Sequence, residues 1–267
     1  MWRVLLLFNT EATLNKISSS FDSNGEKINY LYYMPDKEGP HPAVVFHPGN
    51  RLFPDDYEWL YSRLLQKGYA ILALYQRGYG SGEDSINDRA GLIQQKDLER
   101  AFQVLRQMDG IQKDRIGLIG HSNGAGMSLR LAASNKDVKC AVSMSMISDW
   151  GEFVKRLQEH LPHYYKSVCE HFGGNPNENP RAYELRSCIH LADKIDIPVL
   201  FVSGNDDAIT PTYQTTWMYD RLVETGNKHA KLYIVKEAGH FYEKYSFSGY
   251  KTKEVGRTIA NWITQVL

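Results

Sequence analysis

The clearest chemical signal in this chain is Gly120-His121-Ser122-Asn123-Gly124, inside the stretch IGLIGHSNGAGMS that runs from Ile116 to Ser128. A short apolar run breaks at these five residues and continues as a helix, the order expected of a nucleophile elbow. A serine that leaves a buried strand and enters a helix within one tight turn sits in strained backbone geometry. Its neighbours two before and two after must therefore be very small, and Gly120 and Gly124 meet that demand. The following helix would aim its N-terminal N–H groups and positive dipole end at developing negative charge. Ser122 is thus a candidate nucleophile for covalent catalysis.

The flanking segments supply what could position it. Lys16 to Ser20 and Ile28 to Tyr33 flank Asp22-Ser23-Asn24-Gly25, and Asn-Gly between two alternating segments predicts a hairpin of antiparallel strands. Ala43 to Phe46 reads as a compact buried strand followed by the loop His47-Pro48-Gly49-Asn50-Arg51. Tyr57 to Lys67 has helical spacing and ends at Gly68, a C-cap. Tyr69 to Tyr75 predicts a strand, Arg77 to Gly82 a loop, and Gln94 to Met108 a helix with one apolar face. After the elbow come a strand at Cys140 to Met146, a strand at Pro198 to Ser203, a helix at Thr212 to Gly226, a strand at Lys231 to Lys236 and a terminal helix at Tyr250 to Val266. Strands alternating with helices predict a mostly parallel central sheet with helices on both faces. Between Asp149 and Ile195 the alternation lapses into aromatic, helix-like pieces, which predicts a small lid insertion at about 149–195.

At 267 residues the chain can form a single α/β domain spanning 1–267 with a well-buried core. Lys plus Arg and Asp plus Glu balance at 31 each, so charge supplies no reason to expect nucleic acid or an anionic membrane as partner. Cys140, Cys169 and Cys188 have neither disulfide-framework nor zinc spacing, which suits a reducing, cytoplasmic compartment. Met1 to Phe8 carries an apolar run too short for a signal peptide core and reads as a strand or helix packed on the body; a trimmed secretory leader is the alternative. No window reaches the roughly 20 apolar residues of a membrane span.

These features resemble the α/β-hydrolase fold, and more narrowly the catalytic domain of the prolyl oligopeptidase family and its stand-alone esterase relatives. Asp114-Arg115-Ile116-Gly117-Leu118-Ile119-Gly120-His121-Ser122, Asp149-Trp150, Phe172-Gly173-Gly174, Pro198-Val199-Leu200 and Gly239-His240 stand in that family's order, over roughly residues 16 to 267. The resemblance implies an acid after the strand at Pro198 to Ser203 and a histidine after the last strand. Within Gly204-Asn205-Asp206-Asp207-Ala208-Ile209-Thr210-Pro211 the family spacing selects Asp207, with Asp206 the neighbouring alternative. His240 in Ala238-Gly239-His240-Phe241 is the matching base. The oxyanion would be held by the N–H of Asn123 and one N–H from Gly49-Asn50; Pro48 has none to offer. Two departures stand out. The family's β-propeller has no counterpart in these residues, and His47-Pro48-Gly49-Asn50 stands where some members carry an oxyanion tyrosine.

The expected protein is a serine hydrolase that cleaves short to medium or aromatic carboxylic esters through an acyl-enzyme, with no cofactor and a small-molecule ester as its partner. His47, Trp150, Phe153 and Phe241 are expected to line the substrate site, and the lid aromatics read equally well as core. A peptidase or amidase is the alternative within enzymes, acyl transfer would use the same residues, and a non-catalytic ligand-binding protein is the reading from another class. His160 and His163 have no third ligand nearby and read as solvated lid residues, not as metal ligands. Arg77 to Gly82 lacks the Lys-Ser/Thr ending of a phosphate loop.

Overall fold

The computed structural model describes residues 14–50, 52–77, 92–242 and 251–267. The apolar run expected at Met1 to Phe8, and Gly78 to Gly82 of the expected loop, lie outside the described residues.

Strands β1 (Lys16–Ser23) and β2 (Glu26–Tyr33) form the expected hairpin. The turn between them needs positive φ at both central residues, and Asn24 (52°) and Gly25 (79°) supply it. Six further strands follow: β3 (His41–His47), β4 (Ala70–Leu74), β5 (Ile111–His121), β6 (Ala141–Met144), β7 (Val199–Gly204) and β8 (Ala230–Val235). Together they form one sheet of 8 strands in the order β1-β2-β4-β3-β5-β6-β7-β8. β2 pairs antiparallel with β1 and β4, and every pairing from β4 to β8 is parallel. The central strands are buried on both sides, which is why they read as continuous apolar runs, whereas the edge strands alternate or stay half-exposed.

Helices cover both faces. Leu98 and Leu105 of α2 (Leu92–Gln107), Leu129 of α3 (Asn123–Ser134) and Met218 and Leu222 of α7 (Thr212–Glu224) pack on one face with Val45, Leu72 and Phe201. Leu60 and Leu64 of α1 (Glu58–Gln66) and Ile259 and Ile263 of α8 (Thr252–Val266) pack on the other with Val44, Ile71 and Val202. Successive strand residues serve opposite faces, as the pleat requires.

Between β6 and β7 the chain builds α4 (Trp150–His160), α5 (Pro162–Phe172) and α6 (Pro180–Glu184) around their own small core. The Asp149 side chain caps α4 by accepting from Glu152 N–H at 3.0 Å. The root of this segment is rigid. Gln214 Oε1 accepts from Ser148 N–H, Ser148 Oγ–H and Asp149 N–H, each at 2.9 Å, and Cys188 N–H returns to Ser148 O at 2.9 Å. His160 and His163 are exposed, and no group of His, Cys, Asp and Glu able to hold a metal occurs among the described residues. No helix among them is long and apolar enough to cross a membrane.

One buried ion pair joins the hairpin to α2. Arg77 donates to both carboxylate oxygens of Asp97 (Nε–Oδ2 2.9 Å, Nη2–Oδ1 2.7 Å) and to Ser23 O at 2.8 Å, with both side chains under a tenth exposed. Its third carboxylate contact, Glu26 at 2.8 Å, lies at the surface. Asp97→Ala should cost about 3–5 kcal/mol in urea unfolding because it strands a buried guanidinium, whereas Glu26→Ala should cost about 1 kcal/mol or less. Equal losses would contradict this assignment of the stabilising pair.

Candidate active site

Ser122 sits at the junction of β5 and α3 with φ 54° and ψ −120°, outside the regions open to most L-residues. Its N–H donates to Met144 O at 2.7 Å, which ties the turn to the end of β6. The flanking glycines are required by space. A Cβ on Gly120 would lie 2.3 Å from Gly124 O, and one on Gly124 would lie 2.3 Å from His47 O. α3 therefore starts in direct backbone contact with the loop after β3. Ser122 is mostly buried, at 7% exposure, with the open turn of α3 behind it.

The expected acid and base come from the ends of β7 and β8. His240 Nδ1 lies 2.8 Å from Asp207 Oδ2, and both side chains are almost wholly buried. Asp207 Oδ1 accepts from Ile209 N–H (2.9 Å) and Thr210 N–H (2.8 Å), which aims the carboxylate. Burial works to raise the Asp207 pKa, but the hydrogen bond and charge interaction with His240 and the Thr210 donors outweigh it and hold the carboxyl below its ordinary value. Asp206 meets the base loop through its backbone, its N–H donating to Ala238 O at 3.0 Å. Of the two neighbouring carboxylates, it is Asp207 that is bonded to the imidazole. Ser122 and His240 form no hydrogen bond with each other among the described residues; the two loops meet through His121, whose ring lies 4.7 Å from that of His240.

The expected oxyanion residues are linked by their side chains. Asn123 Nδ2 donates to Asn50 Oδ1 at 3.1 Å, and Asn50 Nδ2 donates to Tyr164 Oη at 3.4 Å. Asn50 thus bridges the elbow to α5 of the inserted segment. Gly49 packs tightly enough that a Cβ there would come within 3.0 Å of Ser122 Cβ.

The expected substrate contacts divide. Phe241 is 42% exposed and stands edge-on to His240 at 4.9 Å, where it can meet a ligand. Trp150 and Phe153 do not form the expected aromatic wall: they are 2% and 1% exposed and pack with Phe172 and Tyr183 as the core of the inserted segment. Helical spacing turned them inward because three short helices need a centre of their own. His47 is likewise no surface for substrate; it is 1% exposed, beneath the loop, with Nδ1–H donating to Pro48 O at 3.0 Å.

Three contributors had weak or no sequence signal. Thr210 Oγ1 lies 2.9 Å from Asp207 Oδ2, His240 Nδ1 and Ser145 O alike. Its spacing after Asp207 is that of a side-chain-capped turn, a signal that could have singled it out. Tyr57 and Tyr164 reach the site from distant elements, and no local pattern marks them.

Sheet order, strained serine turn and buried Asp–His pair define an α/β-hydrolase. Residues 56–267 match the pattern described as the prolyl oligopeptidase family, and the chain belongs to that family. It is 25% identical over 250 residues to the "Uncharacterized peptidase YtmA" of Bacillus subtilis, covering 90% of each chain. It is also 25% identical over 212 residues to "Cutinase 1" of Thermobifida cellulosilytica, covering 70% of this chain and 78% of that one. Among solved structures, acylaminoacyl peptidase of Pyrococcus horikoshii superposes with a TM-score of 0.80 at 20% identity, covering 96% of this chain. The chain spans 42% of that longer protein, so the likeness establishes the fold. The protein is a serine hydrolase.

Two of the site's buried histidines, His121 and His47, make stability sensitive to acid. Burial and the nearby His240 push the His121 pKa down to about 3, and burial lowers that of His47. An unfolded chain takes up these protons near pH 6.5. The His121 stabilisation is therefore complete above about pH 6.5 and is lost as pH falls towards 3, at about 1.4 kcal/mol per pH unit, and the buried His47 acts in the same direction. Urea unfolding between pH 7 and 4.5 should show this slope, and His121→Phe should reduce it by about one proton. An unchanged slope in that variant would show that His121 is not held neutral.

Proposed function

We propose that the protein hydrolyses carboxylic esters, with Ser122 as nucleophile, His240 as general base and acid, and Asp207 as the carboxylate that orients the imidazole. The observation that carries this reading is the buried 2.8 Å Asp207–His240 bond beside a serine held at an elbow. With Nδ1–H committed to Asp207, the Nε2 lone pair of His240 is available to the Ser122 proton. Ser122 Oγ then bonds to the substrate carbonyl carbon as its proton passes to His240 Nε2. The tetrahedral oxyanion is held by Asn123 N–H at the start of α3 and, from the preceding loop, by Asn50 N–H, since Gly49 N–H faces Tyr57 Oη at 3.5 Å. Collapse breaks the bond to the alcohol, which leaves with the proton from His240. Water attacks the acyl-enzyme by the same steps and restores Ser122.

Two features favour esters. Two tyrosines meet the oxyanion loop: Tyr57 has its hydroxyl bound to His121 at 2.8 Å, and Tyr164 has its hydroxyl against the Asn50 side chain at 3.4 Å. An amide also needs its amine leaving group protonated, so modest oxyanion help penalises it more. The cutinase relative agrees with this preference. Family membership and the peptidase relative support the second reading, an amidase or peptidase on the same residues.

A fluorophosphonate should label Ser122, and Ser122→Ala should lower kcat by about 10⁶-fold. Asp207→Asn should lower kcat by about 10³–10⁴-fold through the wrong imidazole tautomer, with Asp206→Asn far milder. Normal turnover by the Ser122 variant would remove the mechanism. A reversed order for the aspartates would move the acid by one residue.

On substrate class, kcat/KM for a short-chain p-nitrophenyl ester should exceed that for the best aminoacyl p-nitroanilide by at least about 10²-fold. Comparable values would put the peptidase reading first.

A further inference from the structure

The loops around Ser122 leave strands that are not all neighbours. β8, which carries His240, stands three places from β5 in the sheet, roughly 14 Å at about 4.8 Å per strand. The sheet alone therefore cannot set the spacing between base and nucleophile. The base loop returns across the end of β7 so closely that a Cβ on Gly204 would lie 2.1 Å from Ala238 O. It carries positive φ at Glu237 (54°) and Tyr242 (59°), so it is held in a backbone state it would not choose alone.

One chain of buried hydrogen bonds spans the loops. His121 Nε2 lies 2.9 Å from His240 O, and a carbonyl can only accept, so Nε2 carries the proton. In the neutral ring Nδ1 is then a bare acceptor, and Tyr57 Oη, 2.8 Å away, must be its donor. With its proton so committed, Tyr57 Oη accepts from Gly49 N–H at 3.5 Å. Every direction is determined: Gly49 to Tyr57 to His121 to the carbonyl of His240. Tyr57, His121 and His240 are each 4% exposed or less, so water does not compete for these bonds.

We propose that Tyr57 and His121 are positioning residues that fasten the base loop and the oxyanion loop to the elbow through this chain. The inference rests on the reading of Ser122 as nucleophile and His240 as base. Neither positioning side chain bonds to the reacting atoms. His121 holds the backbone from which the catalytic imidazole projects, and Tyr57 keeps His121 in the one tautomer that can do so. The chain ends at the loop that supplies Asn50.

The structure provides an internal control. Tyr61, on α1, packs on Phe46 as Tyr57 does, with ring centroids 5.3 and 4.4 Å away, and is fully buried, yet its hydroxyl has no hydrogen-bond partner among the described residues. Removing that hydroxyl tests the loss of a buried tyrosine oxygen without loss of the chain.

The test compares the full-length wild type, Tyr57→Phe, Tyr61→Phe, His121→Phe and the Tyr57→Phe/His121→Phe double variant. It measures steady-state hydrolysis of p-nitrophenyl acetate and the rate of fluorophosphonate labelling. Tyr57→Phe should lower kcat and the labelling rate roughly tenfold or more while KM stays within about twofold, because geometry and not binding is lost. Tyr61→Phe should match wild type. The double variant should be no worse than His121→Phe alone, since both residues act through one chain. Wild-type kcat in Tyr57→Phe, equal losses in Tyr57→Phe and Tyr61→Phe, or fully additive losses would each overturn the proposal. If Tyr57→Phe does not fold, the same readouts on His121→Phe decide it: reduced kcat at unchanged KM supports the chain, and wild-type kcat overturns it. An inactive, unlabelled wild type would instead defeat the nucleophile reading, so the two failures can be told apart.

Discussion

The architecture depends on the close approach of α3 to the backbone at the ends of β3 and β5. Ser122 occupies a backbone state that costs on the order of 1–3 kcal/mol, and only the surrounding packing keeps it there. Leu129 and Leu131 of α3 are buried in the larger core cluster, which anchors the helix whose first turn imposes the strain. Gly120 and Gly124 let that helix reach the His47-Pro48 backbone. A methyl group at either position would push the helix, the serine and the oxyanion loop apart together.

A second difficulty follows from the sheet order. A parallel sheet delivers its loops side by side, whereas Ser122, Asp207 and His240, the proposed nucleophile, acid and base, follow β5, β7 and β8, with β6 between the first two. The molecule closes these gaps with backbone contacts of two kinds. Between the acid and base loops, Asn205 N–H bonds to Val235 O and Asp206 N–H to Ala238 O. Between β6 and the elbow, Met144 O accepts from Ser122 N–H, while Ser145, at φ 44°, turns its carbonyl towards Thr210 Oγ1. Among the described residues, positive φ outside glycine thus clusters at the end of the sheet that holds Ser122, Asp207 and His240, in addition to the hairpin turn at Asn24.

Peptidase and cutinase names both occur among relatives at 25% identity. This chain's own features around Ser122 lie in the inserted helices and the loops they touch. Asn50 joins the loop after β3 to Tyr164 on α5 and to Asn123 at the start of α3, so the positions of these three elements are linked. Phe241 presents an exposed ring beside His240. A displacement of α5 would disturb Asn50 at the same time.

Much of this was legible in the residues alone because the relevant physics is local. Continuous apolar runs mark strands buried on both faces, Asn24-Gly25 marks a turn with positive φ, and small residues around Ser122 mark a strand that must become a helix at once. Resemblance to a known family then supplied the order of acid and base and favoured Asp207 over its neighbour. Other features needed the tertiary structure because they depend on contacts between distant residues. Periodicity shows that Trp150 and Phe153 share a helix face but not what that face meets, and three helices packed together turned it into a core. Burial made His47 a support for its loop. The residues alone suggest that His121 orients loops around the site but not which ones; folding makes it the link between Tyr57 and the loop that carries His240, across separations of 64 and 119 residues. A hydrogen bond between such distant residues leaves no trace in either one's surroundings in the chain. Its existence and its direction are settled only when folding brings the donor and the acceptor together.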